Sequence, residues 1–128
     1  MRRLCVVIAL LVVVSGCGGS GGSAGGDSPK TTCDKANNVQ RLASKALADL
    51  GSAGDLKAIG DLGGAATEAA HGAKKGSAAA KDLNGVVDAA GQLHEDVATD
   101  QSQVPTDIAS LRNWLDKLAR DCSNVLTG

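Results

Sequence analysis

The sequence is nearly free of aromatic residues, since it has no Phe, no Tyr and one Trp, Trp114. Proteins that hold single-stranded nucleic acids stack the bases on aromatic side chains, and that platform is missing here. The formal charge is also close to neutral, with 13 basic and 14 acidic residues among 128. Such a chain has no electrostatic reason to bind nucleic acid or an acidic membrane surface. We therefore expect no nucleic-acid partner.

Motifs that carry catalysis or metal binding are missing as well. The two histidines, His71 and His94, belong to no HxxxH pattern, and no CxxC pair occurs. In a helical hairpin that turns near Gly76, the two histidines lie roughly 18 Å apart along the helix axis, at ~1.5 Å per residue. They are too far apart to share a metal ion, and we expect both to be solvated. The sequence predicts no enzyme activity, no metal and no cofactor.

The first 16 residues have the three parts of an export signal. Arg2 and Arg3 give the positive start, residues 4–14 form an apolar run, and two small residues precede a cleavage point. The run is 11 residues long, which is too short to cross a bilayer as a helix. An uncleaved membrane anchor is the alternative. The length of the run and the cysteine that follows it favour a signal peptide over residues 1–16.

The end of this signal and the cysteine after it read Val14, Ser15, Gly16 and Cys17. Together they resemble the lipobox of bacterial lipoprotein precursors. The resemblance implies that residues 1–16 are removed and that Cys17 receives a thioether-linked diacylglycerol, often joined by an N-acyl chain. Two or more acyl chains give firm membrane attachment, whereas one chain is marginal. We therefore expect a protein held at the outer face of the cytoplasmic membrane by the lipid on Cys17. The resemblance covers only about the first 20 residues and implies nothing about the activity of the rest.

The lipidated cysteine and a flexible tether are predicted to occupy residues 17–30. From Gly18 to Pro29 the chain consists of Gly, Ser and Ala with one acidic residue and the terminal Pro29, which is too little apolar surface to fold. A spacer of this length and composition reaches roughly 20 Å. We expect it to lift the following domain off the headgroups without fixing the orientation of that domain.

The remaining residues, 31–128, are predicted to form one helical domain, because apolar residues recur there at alternating spacings of three and four. Capping residues and a proline predict four helix starts: Thr31 with Asp34, Ser52 with Asp55, Ser77, and Pro105. The predicted apolar faces comprise Ala36, Val39, Ala43, Ala46 and Leu50; Leu56, Ile59, Gly63, Ala66, Ala70 and Ala73; Ala79, Leu83, Val86, Ala90, Leu93 and Val97; and Ile108, Leu111, Leu115, Leu118 and Cys122. Residues 99–104 are predicted to be a loop.

Two cysteines decide the number of helices. Cys5 leaves with the signal and Cys17 is lipidated, so Cys33 and Cys122 remain, one at each end of the domain. A pair of this kind in an oxidising compartment predicts a disulfide, with two unrelated buried thiols as the alternative. The start of the first helix and the end of the last meet only in an antiparallel bundle with an even helix count. We therefore predict an all-α, up-down-up-down four-helix bundle with one disulfide, and interpret Gly63-Gly64 as a kink.

Trp114 and the glycines each allow two interpretations. Trp114 lies beside Leu115 and is predicted to pack at the edge of the core, with an exposed partner-binding anchor as the minority alternative. The glycines occur in pairs four residues apart, Gly60/Gly64 and Gly72/Gly76. We interpret them as sites of close helix packing; the alternative is a mobile side of the bundle through which a ligand could enter.

The leading functional hypothesis is a non-catalytic, lipid-anchored domain that contacts an envelope protein. The alternative is a carrier or sensor of a small apolar ligand held between the helices. An apolar cavity of several hundred Å³ favours the carrier, and a solid core with a contiguous exposed apolar patch favours the interaction module.

Overall fold

A computed structural model describes residues 26–127. The predicted signal peptide, Cys17 and residues 18–25 lie outside this range. Within it the chain forms four α-helices, with a short 3₁₀ helix before the last one. Their bounds are α1 Pro29–Ala48, α2 Asp55–Gly72, α3 Ala78–Thr99, the 3₁₀ helix Gln101–Gln103, and α4 Val104–Thr127.

The helices form the predicted up-down-up-down bundle. Each helix packs against the next along the chain, and α1 also packs against α4. The start of α1 therefore lies beside the end of α4, where Cys33 and Cys122 form a disulfide with their Cα atoms 5.4 Å apart. The predicted disulfide and the helix count argued from it are both confirmed. We call this end, which also contains the α2–α3 turn, the tether end, and the opposite end the far end.

The core is built from aliphatic side chains and many alanines. The largest fully buried side chains are Ile59, Leu62, Leu83, Leu93, Leu111, Leu118, Val39, Val86 and Cys33. On α2 the predicted face is partly wrong: Leu62 is fully buried, whereas Leu56 is 36% exposed. Because α2 is rich in Gly and Ala, several of its faces are equally apolar in sequence. The bulky side chain of Leu62 determines which of these faces is buried.

The helix starts agree with prediction in α3 and α4 but not in α1 and α2. The Ser77 side chain accepts the Ala80 N–H at the start of α3, and Pro105 lies in the first turn of α4. The capping box predicted at Thr31 is wrong, because Ser28 caps α1 and accepts the Thr31 N–H.

The capping box predicted at Ser52 is also wrong. Gly54 occupies the cap of α2 and makes no side-chain cap bond. The Ser52 hydroxyl instead donates to the Asp49 carbonyl oxygen, and the Asp55 carboxylate accepts the Gly51 N–H. The two side chains therefore stabilise the α1–α2 loop rather than the helix start.

Gly63 and Gly64, interpreted as a kink within one helix, do not divide it, because α2 runs through both without a turn. The loop predicted over residues 99–104 is short, because α3 extends to Thr99 and the 3₁₀ helix follows with Asp100 as its cap.

Candidate functional site

The two histidines are both exposed and lie on different helices, His71 on α2 and His94 on α3. Across residues 26–127, no group of three or more His, Cys, Asp or Glu side chains is arranged to hold a metal ion. In the same part of the chain, no helix has both the length and the apolar character needed to cross a membrane.

The most unusual feature of the bundle is the contact between α3 and α4, which contains buried acids. Each helix carries a stripe of five residues at spacings of four and three, and each stripe begins and ends with Asp. The stripes are Asp82, Val86, Ala89, Leu93 and Asp96 on α3, and Asp107, Leu111, Trp114, Leu118 and Asp121 on α4. We call these ten residues the α3–α4 seam. Since the helices are antiparallel, Asp82 meets Asp121 at the tether end and Asp96 meets Asp107 at the far end.

The tether-end pair is Asp82 with Asp121. Asp82 is only 3% exposed, and its carboxyl shares a hydrogen bond with that of Asp121. Burial raises the pKa of Asp82 to about 6, and the hydrogen bond and charge of Asp121 act in the same direction. Lys117 and Lys81 partly oppose this increase. Asp82 Oδ2 is buried and receives no hydrogen bond from an N–H or O–H donor of the described residues.

The far-end pair is Asp96 with Asp107. These residues are 8% and 7% exposed. Burial raises the pKa of Asp107 to about 6, and the hydrogen bond to Asp96 and the negative charges of Asp96 and Asp100 add to the effect. The amide of Gln92 donates to Asp96 Oδ2 at 3.1 Å, whereas Asp107 Oδ2 is buried without a partner. No basic residue is among the groups that act on the pKa of Asp107.

Trp114 occupies the middle of the seam. Its ring lies so close to Gly85 that a Cβ atom at position 85 would overlap the indole. Trp114 is half-buried and packs against the core, which confirms the predicted core-edge position. The Lys117 ammonium lies 4.8 Å from the ring centroid, within the range of a cation–π contact. Lys117 thus contacts Trp114 and also acts on the tether-end acid pair.

A second feature fixes the chain where it enters α1. The Asp27 N–H donates to the Gly72 carbonyl oxygen at 2.8 Å, and Lys35 Nζ lies 2.6 Å from Asp27 Oδ2. Gly26 has a φ of +89°, and a Cβ atom there would fall 2.7 Å from the Gly72 oxygen. We call Gly26, Asp27, Lys35, Gly72 and Ala73 the tether clamp. The last residues of the predicted tether are therefore held against the α2–α3 turn.

Three of the surface clefts among residues 26–127 bear on the carrier hypothesis. The largest, about 900 Å³, lies between α2 and α3 at the tether end, and its lining includes His71, Lys75 and Lys81. A cleft of about 340 Å³ lies between α1 and α2, and its lining includes Asp34, Lys35 and Glu68. One of about 150 Å³ lies beside the disulfide and is lined mainly by apolar atoms. The two clefts of several hundred Å³ therefore both contain charged side chains.

The described residues expose few large hydrophobic side chains. The large hydrophobic side chains exposed in the described part of the chain are Leu56 and Val125. Leu56 is in the first turn of α2, at the far end, and Val125 is in the last turn of α4, at the tether end. They do not form one contiguous patch.

No protein-family model, curated protein or solved structure matches this chain.

The acid pairs were not predicted from the sequence, although a signal for them exists. Asp82, Asp96 and Asp107 each lie next to a predicted core residue, and an acidic residue at such a place is ordinarily solvated. The regular spacing of four and three that links Asp82 to Asp96 also links Asp107 to Asp121. Two matching stripes with acidic ends are the pattern that indicates such pairs.

Proposed function

We propose that this protein is a lipid-anchored, extracytoplasmic lipoprotein whose bundle is a non-catalytic interaction module for an envelope protein. The observation that carries the extracytoplasmic location is the Cys33–Cys122 disulfide. Disulfides of this structural kind persist in oxidising compartments outside the cytosol. An export signal that ends in a lipobox would deliver the chain to such a compartment. The interaction role is favoured over the carrier by the charged lining of the two larger clefts and not by an apolar patch, since Leu56 and Val125 lie at opposite ends of the bundle.

The tether clamp determines from which end of the bundle the tether leaves. A lipid on Cys17 would attach the chain to the membrane nine residues before Gly26, and the clamp holds Asp27 to the α2–α3 turn. Helix α3 has 22 residues, so the far end lies roughly 33 Å from the tether end at ~1.5 Å per residue. The α1–α2 loop and the 3₁₀ helix at the far end are therefore the surfaces best placed to reach a partner.

The carrier of a small apolar ligand takes second place. An apolar ligand in either of the two larger clefts would cover charged side chains, such as Lys75 and Lys81 in the α2–α3 cleft. Burial of charged groups without partners opposes binding. The cleft beside the disulfide is mainly apolar, but its volume of about 150 Å³ is below the range of typical ligand sites, which begins at about 300 Å³.

The membrane anchor is tested by Cys17→Ala. We expect this variant to incorporate no labelled fatty acid and to leave the membrane fraction or accumulate as an uncleaved precursor. The matched control is Cys5→Ala, which removes the cysteine of the signal and should label normally. Fatty-acid incorporation into Cys17→Ala at the level of the unchanged protein would contradict the lipoprotein assignment.

The interaction role is tested by site-specific photocrosslinking in intact cells. A photoreactive residue at Ser52, in the exposed α1–α2 loop, should capture one discrete envelope protein. The same residue at Lys75, beside the tether clamp, is the control and should capture that protein weakly or not at all. Equal capture at both positions, or capture at neither, would argue against a partner at the far end.

A further inference from the structure

The α3–α4 seam places titratable contacts at both ends of one helix interface. Asp82 makes a side-chain hydrogen bond with Asp121, and Asp107 makes one with Asp96. The aliphatic and aromatic members of the seam lie between the two pairs. Removing two adjacent carboxylates from water is strongly unfavourable unless a proton neutralises one of them. The two acid pairs therefore make the contact between α3 and α4 depend on protons.

Each pair needs one proton to make its hydrogen bond, because an ionised carboxylate has no hydrogen to donate. With that proton the pair is held together and carries one negative charge. Without it, two negative charges face each other across the helix interface. Asp82 Oδ2 and Asp107 Oδ2 are buried without an N–H or O–H donor, so no donor bonded to either atom offsets the added charge.

The surroundings of the two pairs differ. The charged groups that act on Asp82 are Asp121 and Lys117 from α4 and Lys81 from α3 itself. Asp121 also lines the small cleft at the tether end, together with Asp27 and Lys74. Cations are therefore close to this pair.

At the far end, the groups that act on Asp107 are Asp96 of α3 and Asp100, the cap of the 3₁₀ helix, and both are acidic. The amide of Gln92 is the uncharged donor to this pair. When the far-end pair loses its shared proton, the added negative charge is repelled by the acidic residues around it. The groups that act on Asp107 include no cation that would offset this repulsion.

We propose that the α3–α4 seam is a pH-sensitive contact, which is tight while each acid pair keeps its shared proton and loosens when the pairs lose it. Loosening moves Trp114 away from Gly85, because this ring fills the middle of the same seam. The proposal concerns the bundle alone and does not depend on the lipid anchor or on a partner.

The direction of the pH effect follows from the raised pKa values. The pKa of Asp82 and that of Asp107 rise from 3.8 to about 6 on folding. The folded state therefore binds these protons more tightly than the unfolded state does. The resulting stabilisation is complete below about pH 4 and is lost as the pH rises through about 6. Acid tightens this contact, whereas it weakens ordinary ion pairs.

The test uses the full oxidised chain, whose single Trp114 reports directly on the seam. Trp fluorescence and the thermal midpoint are measured from pH 4.5 to pH 8. We expect the emission to shift to longer wavelength with a midpoint near pH 6, and the thermal midpoint to fall by roughly 5–15 °C between pH 5 and pH 8.

Matched variants assign the effect to the acid pairs. Asp107→Asn and Asp82→Asn keep the side-chain shape but do not ionise, so each should remove part of the pH dependence and the double variant should remove most of it. Asp116→Asn changes an exposed aspartate of α4 and should leave the dependence intact. If Asp107→Asn or Asp82→Asn folds poorly, the partner variants Asp96→Asn and Asp121→Asn test the same pairs.

Two results would overturn the proposal. One is an emission maximum and thermal midpoint in the unchanged protein that stay constant from pH 5 to pH 8. The other is a double variant that keeps the full pH dependence.

Discussion

The two ends of the bundle are stabilised in different ways. The tether end has the Cys33–Cys122 disulfide, the tether clamp and a serine cap on α3. The far end has a helix start at Gly54 without a side-chain cap and an acid pair with further negative charge beside it. The covalent link is thus at the tether end, where the chain would meet the membrane. Ion pairs occur at both ends: Lys30–Asp34 and Lys35–Asp27 at the tether end, and Lys45–Asp49 and Lys57–Asp61 at the far end. An acid pair also lies at each end, so the disulfide is the main difference between the two.

The largest effect is expected from removal of the disulfide, which would abolish the covalent difference between the two ends. Its closing of a loop of 89 residues contributes ~4–5 kcal/mol in the chain-entropy model. We expect Cys33→Ser with Cys122→Ser to lower the thermal midpoint by more than about 10 °C, since ~1 kcal/mol shifts such a domain by roughly 4–8 °C. Circular dichroism melting curves provide the measurement.

Two controls accompany the disulfide variant. Chemical reduction of the unchanged protein should reproduce its lowered midpoint. Mass spectrometry after alkylation should find no free thiol at Cys33 or Cys122 in the exported protein. Two alkylated cysteines there would contradict the disulfide in the native state.

An intermediate effect is expected in the middle of the seam, between the two ends. Gly85→Ala places a methyl group where the Trp114 ring lies, and overpacking of this kind costs about 1–3 kcal/mol. Gly91→Ala is the matched control on α3, because a Cβ atom there meets nothing within 4 Å; it should gain up to ~1 kcal/mol from helix propensity. Urea unfolding measures both free energies. Equal stabilities of the two variants would contradict the close packing of Trp114 on Gly85.

A smaller effect is expected from exchanging the caps of the two ends. Gly54→Ser adds a side-chain acceptor at the far end, and Ser77→Gly removes one at the tether end. Each change should alter the free energy of unfolding by a few tenths of a kcal/mol, in opposite directions. Urea unfolding of the two variants side by side tests this, and a shift of the same sign in both would contradict it.

The smallest effect is expected from the histidines, one on each of two neighbouring helices. His71→Gln with His94→Gln should leave the thermal midpoint and partner crosslinking unchanged, because both side chains are exposed. Lost crosslinking with an unaltered circular dichroism spectrum would reveal a histidine site that neither the sequence nor the structure indicates.

The fold was predictable because one long-range constraint was visible in the sequence. Cys33 and Cys122 lie at opposite ends of the domain, and only an even number of antiparallel helices brings them together. The register of α2 was not predictable, since Gly and Ala give weak preferences for one buried face. The capping boxes at Thr31 and Ser52 failed because a serine three residues earlier and a loop hydrogen bond took their place.

The acid pairs show a different limit. An aspartate beside an apolar stripe is normally solvated, so neither Asp82 nor Asp107 taken alone indicates burial. Their burial depends on a carboxyl partner from the other helix, which is known only once α3 and α4 are placed together. On its own helix each of these aspartates resembles a surface residue, and it becomes part of the interface only when α3 and α4 pack together.

The position of the disulfide also determines how the protein would respond to mechanical force. The chain enters the bundle at Gly26, and Cys33 follows within the first turns of α1. A pull between this entry point and the C-terminus therefore passes through the Cys33–Cys122 bond and bypasses residues 34–121. About 300 Å of contour length stays locked under such a load, because the two cysteines are 89 positions apart and each position spans ~3.4 Å. A force applied at the far end is instead carried along the helices, and it acts directly on the α3–α4 seam.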